Sequence, residues 1–135
     1  MVLVQKTETV PIATDDDVVR VRQRVRDQAV SLGFSLVDQT KLVTAASELA
    51  RNTLVYGLGG TMRLETLLND RRTGLRLVFE DHGPGIPDTT LALTDGYTTG
   101  NGLGLGLSGA RRLSQDFELS SRPGEGTRVT IARWK

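Results

Sequence analysis

Three groups of residues have types and spacings suited to chemistry. The first lies in "AASELARNTLVYG", where Glu48 and Asn52 stand four residues apart. On a helix that spacing stacks a carboxylate and an amide on one face. The pair reads either as solvated helix surface or as a working pair. An amide oxygen is a hard ligand suited to a Mg²⁺ ion that bridges phosphates. The acid can take a proton from an attacking hydroxyl or water, or hold a metal-bound water. The second group centres on Asp81, which closes "LRLVFED". The third is "DGYTTGNGLGLGLSGARRL", Asp95 to Leu113, with Gly100, Gly102, Gly104, Gly106 and Gly109 ahead of a basic segment. Alternating glycines let the main chain approach a polyphosphate, and a helix from Ser108 would put free N–H groups behind them. The alternative is a flexible, solvated loop. Gly104, Gly106 and Gly109 also spell GxGxxG, but the dinucleotide fingerprint needs a strand before it, and here a polar loop precedes it. No GK[ST] follows the glycines, so a Walker A loop is absent.

Regular elements must hold these groups in place. Val2 to Ile12 reads as a strand, and Thr14 to Asp17 supplies a helix cap with acids in the first turn. Val18, Val21, Val25, Ala29 and Leu32 then recur at helical spacing among Arg20, Arg22, Arg24 and Arg26, until Gly33 stops the run. These arginines form either a partner surface or a solvated face. A second helix starts near Ser35 and Asp38 and runs to about Tyr56, with Leu42, Ala46, Leu49 and Thr53 on one side and Glu48 and Asn52 on another. The glycines at 57, 59 and 60 end it.

The period then changes to two. Met62, Leu64, Thr66 and Leu68 alternate with Arg63, Glu65 and Leu67, and a short polar turn with Gly74 follows. Leu75, Leu77 and Phe79 alternate with Arg76, Val78 and Glu80, which predicts a strand pair with one wet face. A helix from about Ser108 to Gln115 leads to a last strand pair, Phe117 to Arg122 and Thr127 to Trp134, joined by "PGEG". The expected fold is α/β (α+β): a two-layer sandwich with a mixed, mainly antiparallel sheet and helices on one face, in a single domain over residues 1–135.

Strand parity gives the side-chain directions. Asp81 shares parity with Leu75, Leu77 and Phe79, and Thr127 with Val129 and Ile131, so both point between sheet and helices. If the strands pair as drawn, the two sit at neighbouring strand ends. A buried carboxylate without a donor costs on the order of a few kcal/mol, so Asp81 needs a partner. Either the amides of the "HGPGI" turn or a ligand donor such as the amino group of adenine would serve.

Composition removes other classes. A chain of 135 residues fits one ordinary domain, and its formal charge of +1 argues against a protein that holds nucleic acid or an anionic membrane by bulk charge. With no cysteine there is neither a disulfide nor a thiolate metal site, and one histidine leaves little room for a zinc centre or a histidine-based triad. "MVLVQKTETV" lacks the basic start and apolar core of a signal peptide, and no stretch reaches the length of a membrane span. A soluble, cytoplasmic protein is expected.

In that order along the chain, "ELARN", "DHGPGI", "GLGLGL" and "GEGT" resemble the N-box, the DxGxG box, the glycine box and the final box of the GHKL ATPases, the Bergerat-fold group. "ASELARN", "EDHGPGIPD" and "DGYTTGNGLGLGL" look most like the RsbT-type serine/threonine kinases of bacterial partner-switching modules. The resemblance implies ATP and Mg²⁺ as cofactors, with Asn52 as the metal ligand and Glu48 as the general base. It implies Asp81 as acceptor of the adenine amino group, Gly83 and Gly85 as the glycines that make room for the base, and Thr127 as the support beside it. Gly102, Gly104 and Gly106 would wrap the phosphates, and the segment from about Pro87 to Asn101 resembles a short ATP lid. Some related anti-sigma kinases carry an arginine just before the glycine box; this chain has Gly100 and Asn101 there, which leaves the γ-phosphate contact unassigned. The implied partners are a STAS-domain antagonist of the RsbS or RsbR kind, which is phosphorylated, and a downstream phosphatase or other output enzyme, with neither nucleic acid nor membrane. The alternative is a nucleotide-gated anti-sigma or activator binding module with little phosphotransfer. A histidine-kinase catalytic domain fits less well, because the lone His82 lies inside the DxGxG box.

Overall fold

The computed structural model describes residues 1–86 and 107–135. In chain order these form β1 (Val2–Ile12), α1 (Asp15–Ser31), α2 (Leu36–Val55), β2 (Gly60–Asn69), β3 (Arg72–Asp81), α3 (Leu107–Arg112), β4 (Asp116–Arg122) and β5 (Gly126–Trp134). Both long helices start at the expected caps. Thr14 and Asp17 form a reciprocal capping box, and the Ser35 hydroxyl accepts from the Asp38 amide at 3.1 Å. Helix α3 is shorter than the predicted Ser108 to Gln115. Among the described residues nothing lies within 4 Å of where a Cβ at Gly109 would stand.

The five strands form one sheet in the order β1-β2-β3-β5-β4, and every neighbouring pair is antiparallel. The expected mixed sheet is therefore wholly antiparallel among the described strands. β5 lies between β3 and β4, which puts the ends of β3 and β5 side by side. The apolar stripe of α1 (Val21, Val25, Ala29) and that of α2 (Leu42, Ala46, Leu49) are buried with Leu64, Leu77, Phe79 and Ile131 of the sheet in one core. Removing that surface from water stabilises the sandwich by about 25 cal/mol for each Å² of apolar area. Arg24 of α1 reaches Glu8 of β1 through two bonds, at 2.7 and 2.8 Å, and Arg20 pairs with Asp17 at 2.6 Å. Two of the four arginines of α1 therefore bind within the fold.

Two expectations for the β2–β3 hairpin need correction. The turn falls at Asp70 and Arg71 and not around Gly74, with Asp70 at φ 55, a left-handed conformation that Asp tolerates better than most residues. Gly74 lies inside β3 opposite Trp134, where a Cβ would come within 2.7 Å of the indole. The face expected to be wet is also partly closed, because Leu67, Val78 and Ala132 are buried there. Long side chains lie across it: Arg76 and Arg63 both bond Glu65, and Arg72 stacks over Trp134. Among the described residues no helix is long and apolar enough to cross a membrane.

Candidate functional site

At one end of the sheet the apolar inner face turns polar on three adjacent strands. Asp81 ends β3, Thr127 is the second residue of β5, and Ser121 lies opposite Thr127 near the end of β4. Asp81 is buried, and its Oδ1 accepts from the Gly83 amide at 2.9 Å and from the Thr127 amide at 3.2 Å. The turn-amide partner anticipated from the sequence is thus present, but it occupies one oxygen. Among the described residues no hydrogen bond reaches Oδ2. Burial pushes the Asp81 carboxyl above the usual carboxylate range, and the two amides pull it partly back.

The loop after α2 closes on this carboxylate. A Cβ at Gly57 would overlap the Asp81 side chain, and one at Gly83 would come within 2.7 Å of the Gly57 carbonyl oxygen, so two glycine backbones pass each other beside the acid. Gly85 adopts φ +78 in the following turn. The hairpin between β4 and β5 holds that turn from the other side. The Ile86 amide donates to Ser121 Oγ, and the Gly124 amide to the Pro84 carbonyl, both at 2.7 Å.

A pocket opens between this polar end and α2. Asp81, Thr127 and Asn52 line it together, with Leu49, Phe79 and Ile86 among its apolar walls. Apolar walls with a few convergent polar groups suit a flat heteroaromatic ring that presents donors or acceptors at one edge. Gly85 also lines the pocket, whereas Gly83 is buried behind it. Glu48 is exposed, one turn before Asn52, and is not part of this lining. Gly102, Gly104 and Gly106, and the stretch from Pro87 to Asn101, lie outside the described residues.

The sequence reading missed Gly57 and Ser121. For Ser121 the signal was present, since Phe117, Leu119 and Ser121 repeat the parity that placed Asp81 and Thr127. For Gly57 it was not, because its neighbour across the pocket is set by how α2 crosses the sheet.

Comparison with known proteins bears on the fold and the family. Residues 37–135 match the family described as histidine kinase-, DNA gyrase B-, and HSP90-like ATPase. The serine/threonine-protein kinase RsbT of Bacillus subtilis (strain 168) is 44% identical over 125 residues, 93% of this chain and 94% of the relative. Among solved structures, one containing RsbU and RsbW domains from Mycobacterium tuberculosis superposes with a TM-score of 0.64 at 18% identity. That match covers 97% of this chain and 33% of the other. The catalytic domain of histidine kinase ThkA gives a TM-score of 0.53 at 14% identity, covering 93% of this chain and 94% of that one. A histidine kinase domain from Erythrobacter litoralis gives 0.52 at 21% identity, over 90% and 60% of the two chains. At these identities the structural likenesses speak to the fold. Together with the family match and the 44% identical kinase, they place the chain in the histidine kinase-, DNA gyrase B- and HSP90-like ATPase family.

Proposed function

We propose that this chain acts as a single-domain, cytoplasmic serine/threonine-protein kinase that transfers the γ-phosphoryl group of ATP to a STAS-domain antagonist. The supporting observation is the meeting of Asn52, Asp81 and Thr127 on one pocket, in a chain 44% identical to the kinase RsbT. In this reading Asp81 Oδ2 accepts from the adenine amino group and Thr127 supports the ring beside it. Gly83 and Gly85 shape the turn that leaves room for the base, and Gly102, Gly104 and Gly106 approach the phosphates with bare backbone.

Asn52 is half-buried on the pocket wall, and its amide oxygen is a hard donor that fits Mg²⁺. The described residues hold no cluster of three or more His, Cys, Asp or Glu, which suits an ion that draws its other ligands from phosphate and water. Bound there with ATP, Mg²⁺ would neutralise charge on the phosphates. In this reading Glu48, exposed on the same helix, takes the proton of a protein hydroxyl arriving from solvent. The substrate oxygen bonds to the γ-phosphorus, the bridging P–O bond breaks, and ADP leaves. The phosphorylated antagonist then releases the kinase to a downstream phosphatase or other output enzyme.

Incubation with Mg-ATP and an RsbS-like STAS-domain protein, followed by mass spectrometry, tests this reading. The expected product is phosphoserine or phosphothreonine on the STAS protein. A stable, ATP-dependent complex without phosphate transfer would overturn the kinase in favour of a nucleotide-gated binding module.

A further inference from the structure

Arg20 and Arg24 of α1 are used within the fold, whereas Arg22 and Arg26 are exposed, and among the described residues neither forms an ion pair. Their spacing stacks two guanidinium groups on one face of the helix, where like charges repel and weaken the helix slightly. Val19 lies three residues before Arg22 and Val30 four after Arg26, which puts both on that face, 45% and 55% exposed. Four residues that do little for the isolated fold thus form one strip about 16 Å long.

The strip borders a groove. α1 packs against α2, and Val19, Arg22, Gln23 and Arg26 line a hollow between the helices together with Val43 of α2, which is partly buried against the core. The hollow therefore has an apolar floor and a basic rim. A groove between two helices takes a third helix, whose ridge of side chains settles between theirs. The rim calls for carboxylates one helical turn apart, opposite Arg22 and Arg26, and the floor for an apolar side chain beside them.

Other occupants meet repulsion. A second copy in a symmetric contact on this strip would set arginines against arginines. Nucleic acid or an anionic membrane would meet Asp15, Asp16 and Asp27, all exposed on the same helix, in a chain whose net charge is only +1. We infer that the groove between α1 and α2 docks an acidic, amphipathic helix of a different protein, with Arg22 and Arg26 holding its carboxylates. None of the groove residues lines the nucleotide pocket, so docking there is independent of the kinase reading.

The test uses two fluorescein-labelled synthetic peptides of identical Glu, Leu and Ala composition, each stapled to hold it helical. One gathers its leucines and a Glu pair at i and i+4 on a single face; the other scatters them. Anisotropy titrations with the full chain should show the first peptide binding at least about tenfold more tightly than the second. Arg22→Ala and Arg26→Ala should each weaken it about threefold to tenfold, the worth of a charge-assisted hydrogen bond near a surface. Because both side chains are exposed, the variants should melt within about 2 °C of the wild type. Arg22→Glu with Arg26→Glu should abolish binding of the Glu peptide and confer binding of its Lys counterpart, a reversal that a damaged fold would not produce. Equal binding of the two peptides, binding of neither, or indifference to both arginines would overturn the proposal. So would tighter binding of duplex DNA or of phosphatidylserine-containing vesicles through the same arginines, which would make the strip a polyanion surface.

Discussion

Two carboxylates are buried in the adjacent strands β2 and β3, and they are held by different kinds of partner. Glu65 and Asp81 are both 7% exposed, yet they lie on opposite faces of the sheet. Glu65 has a guanidinium for each oxygen, Arg76 at 2.7 Å on Oε1 and Arg63 at 3.3 Å on Oε2. Asp81 has two backbone amides on a single oxygen, and among the described residues neither Lys nor Arg pairs with it. The first acid is fully used by the fold. The second is fixed in place by main chain while one oxygen faces a pocket, in surroundings that penalise its charge. Burial alone does not separate a structural acid from a working one; the number of its oxygens already engaged does.

The contrast can be broken most forcefully at the pocket end. Asn52→Ala should lower phosphoryl transfer by about 100-fold or more, roughly 2.7 kcal/mol of transition-state stabilisation, with the melting temperature within about 2 °C of wild type. Transfer at the wild-type rate in a radiolabelled-phosphate assay would remove Asn52 from the reaction. Asp81→Asn should weaken ATP binding at least about tenfold, or roughly 1.4 kcal/mol, by calorimetry. Glu65→Gln is the matching change on the other face. It should leave ATP affinity within about twofold and cost about 1 kcal/mol of stability in urea melts, since the Arg63 side chain is nearly half exposed and screened. A Glu65→Gln chain that lost ATP binding would erase the distinction between the two acids.

The smallest effect is in pH dependence, where Asp81 contrasts with Glu8. Hydrogen bonds from Arg24 hold the Glu8 carboxyl below the usual range, so its contribution is present above the unfolded-state value and fades as pH falls through the folded one. Asp81 is shifted upward, so its contribution is present below the unfolded-state value and is lost as pH rises through the folded one. Against the wild type, Glu8→Gln should be less stable by under about 1 kcal/mol at neutral pH and should draw level towards about pH 3. Asp81→Asn should gain on the wild type as pH rises over the same interval. Parallel urea midpoints for the two variants across that range would contradict the assigned shifts.

Features that depend on local patterns were legible in the sequence. The Thr14 and Ser35 caps, the span of β1, the buried stripes of both long helices and the inward aim of Asp81 and Thr127 all follow from spacings within one element. What escaped depends on pairing between elements. Gly74 resembles a turn residue until Trp134 is placed over it, and Leu67 and Val78 take the parity of the wet face yet are buried on the face of the sheet that carries the Glu65–arginine cluster. Asp70, and not a glycine, takes the left-handed turn position. Glu48 and Asn52 share a helix face, as their spacing requires, but only the second reaches the described pocket wall, because α2 passes the end of β3 near its own C-terminus.

Trp134 is the only tryptophan in the chain. It sits at the far end of β5 from Thr127, with its indole against Gly74 and Arg72 on the side away from the pocket, whereas Tyr56 lines the pocket itself. The two ends of the molecule thus carry different native fluorophores. Indole emission should therefore follow whether β3 and β5 remain joined, while tyrosine emission should answer to what fills the pocket, so unfolding and binding call for different excitation wavelengths and not for a label.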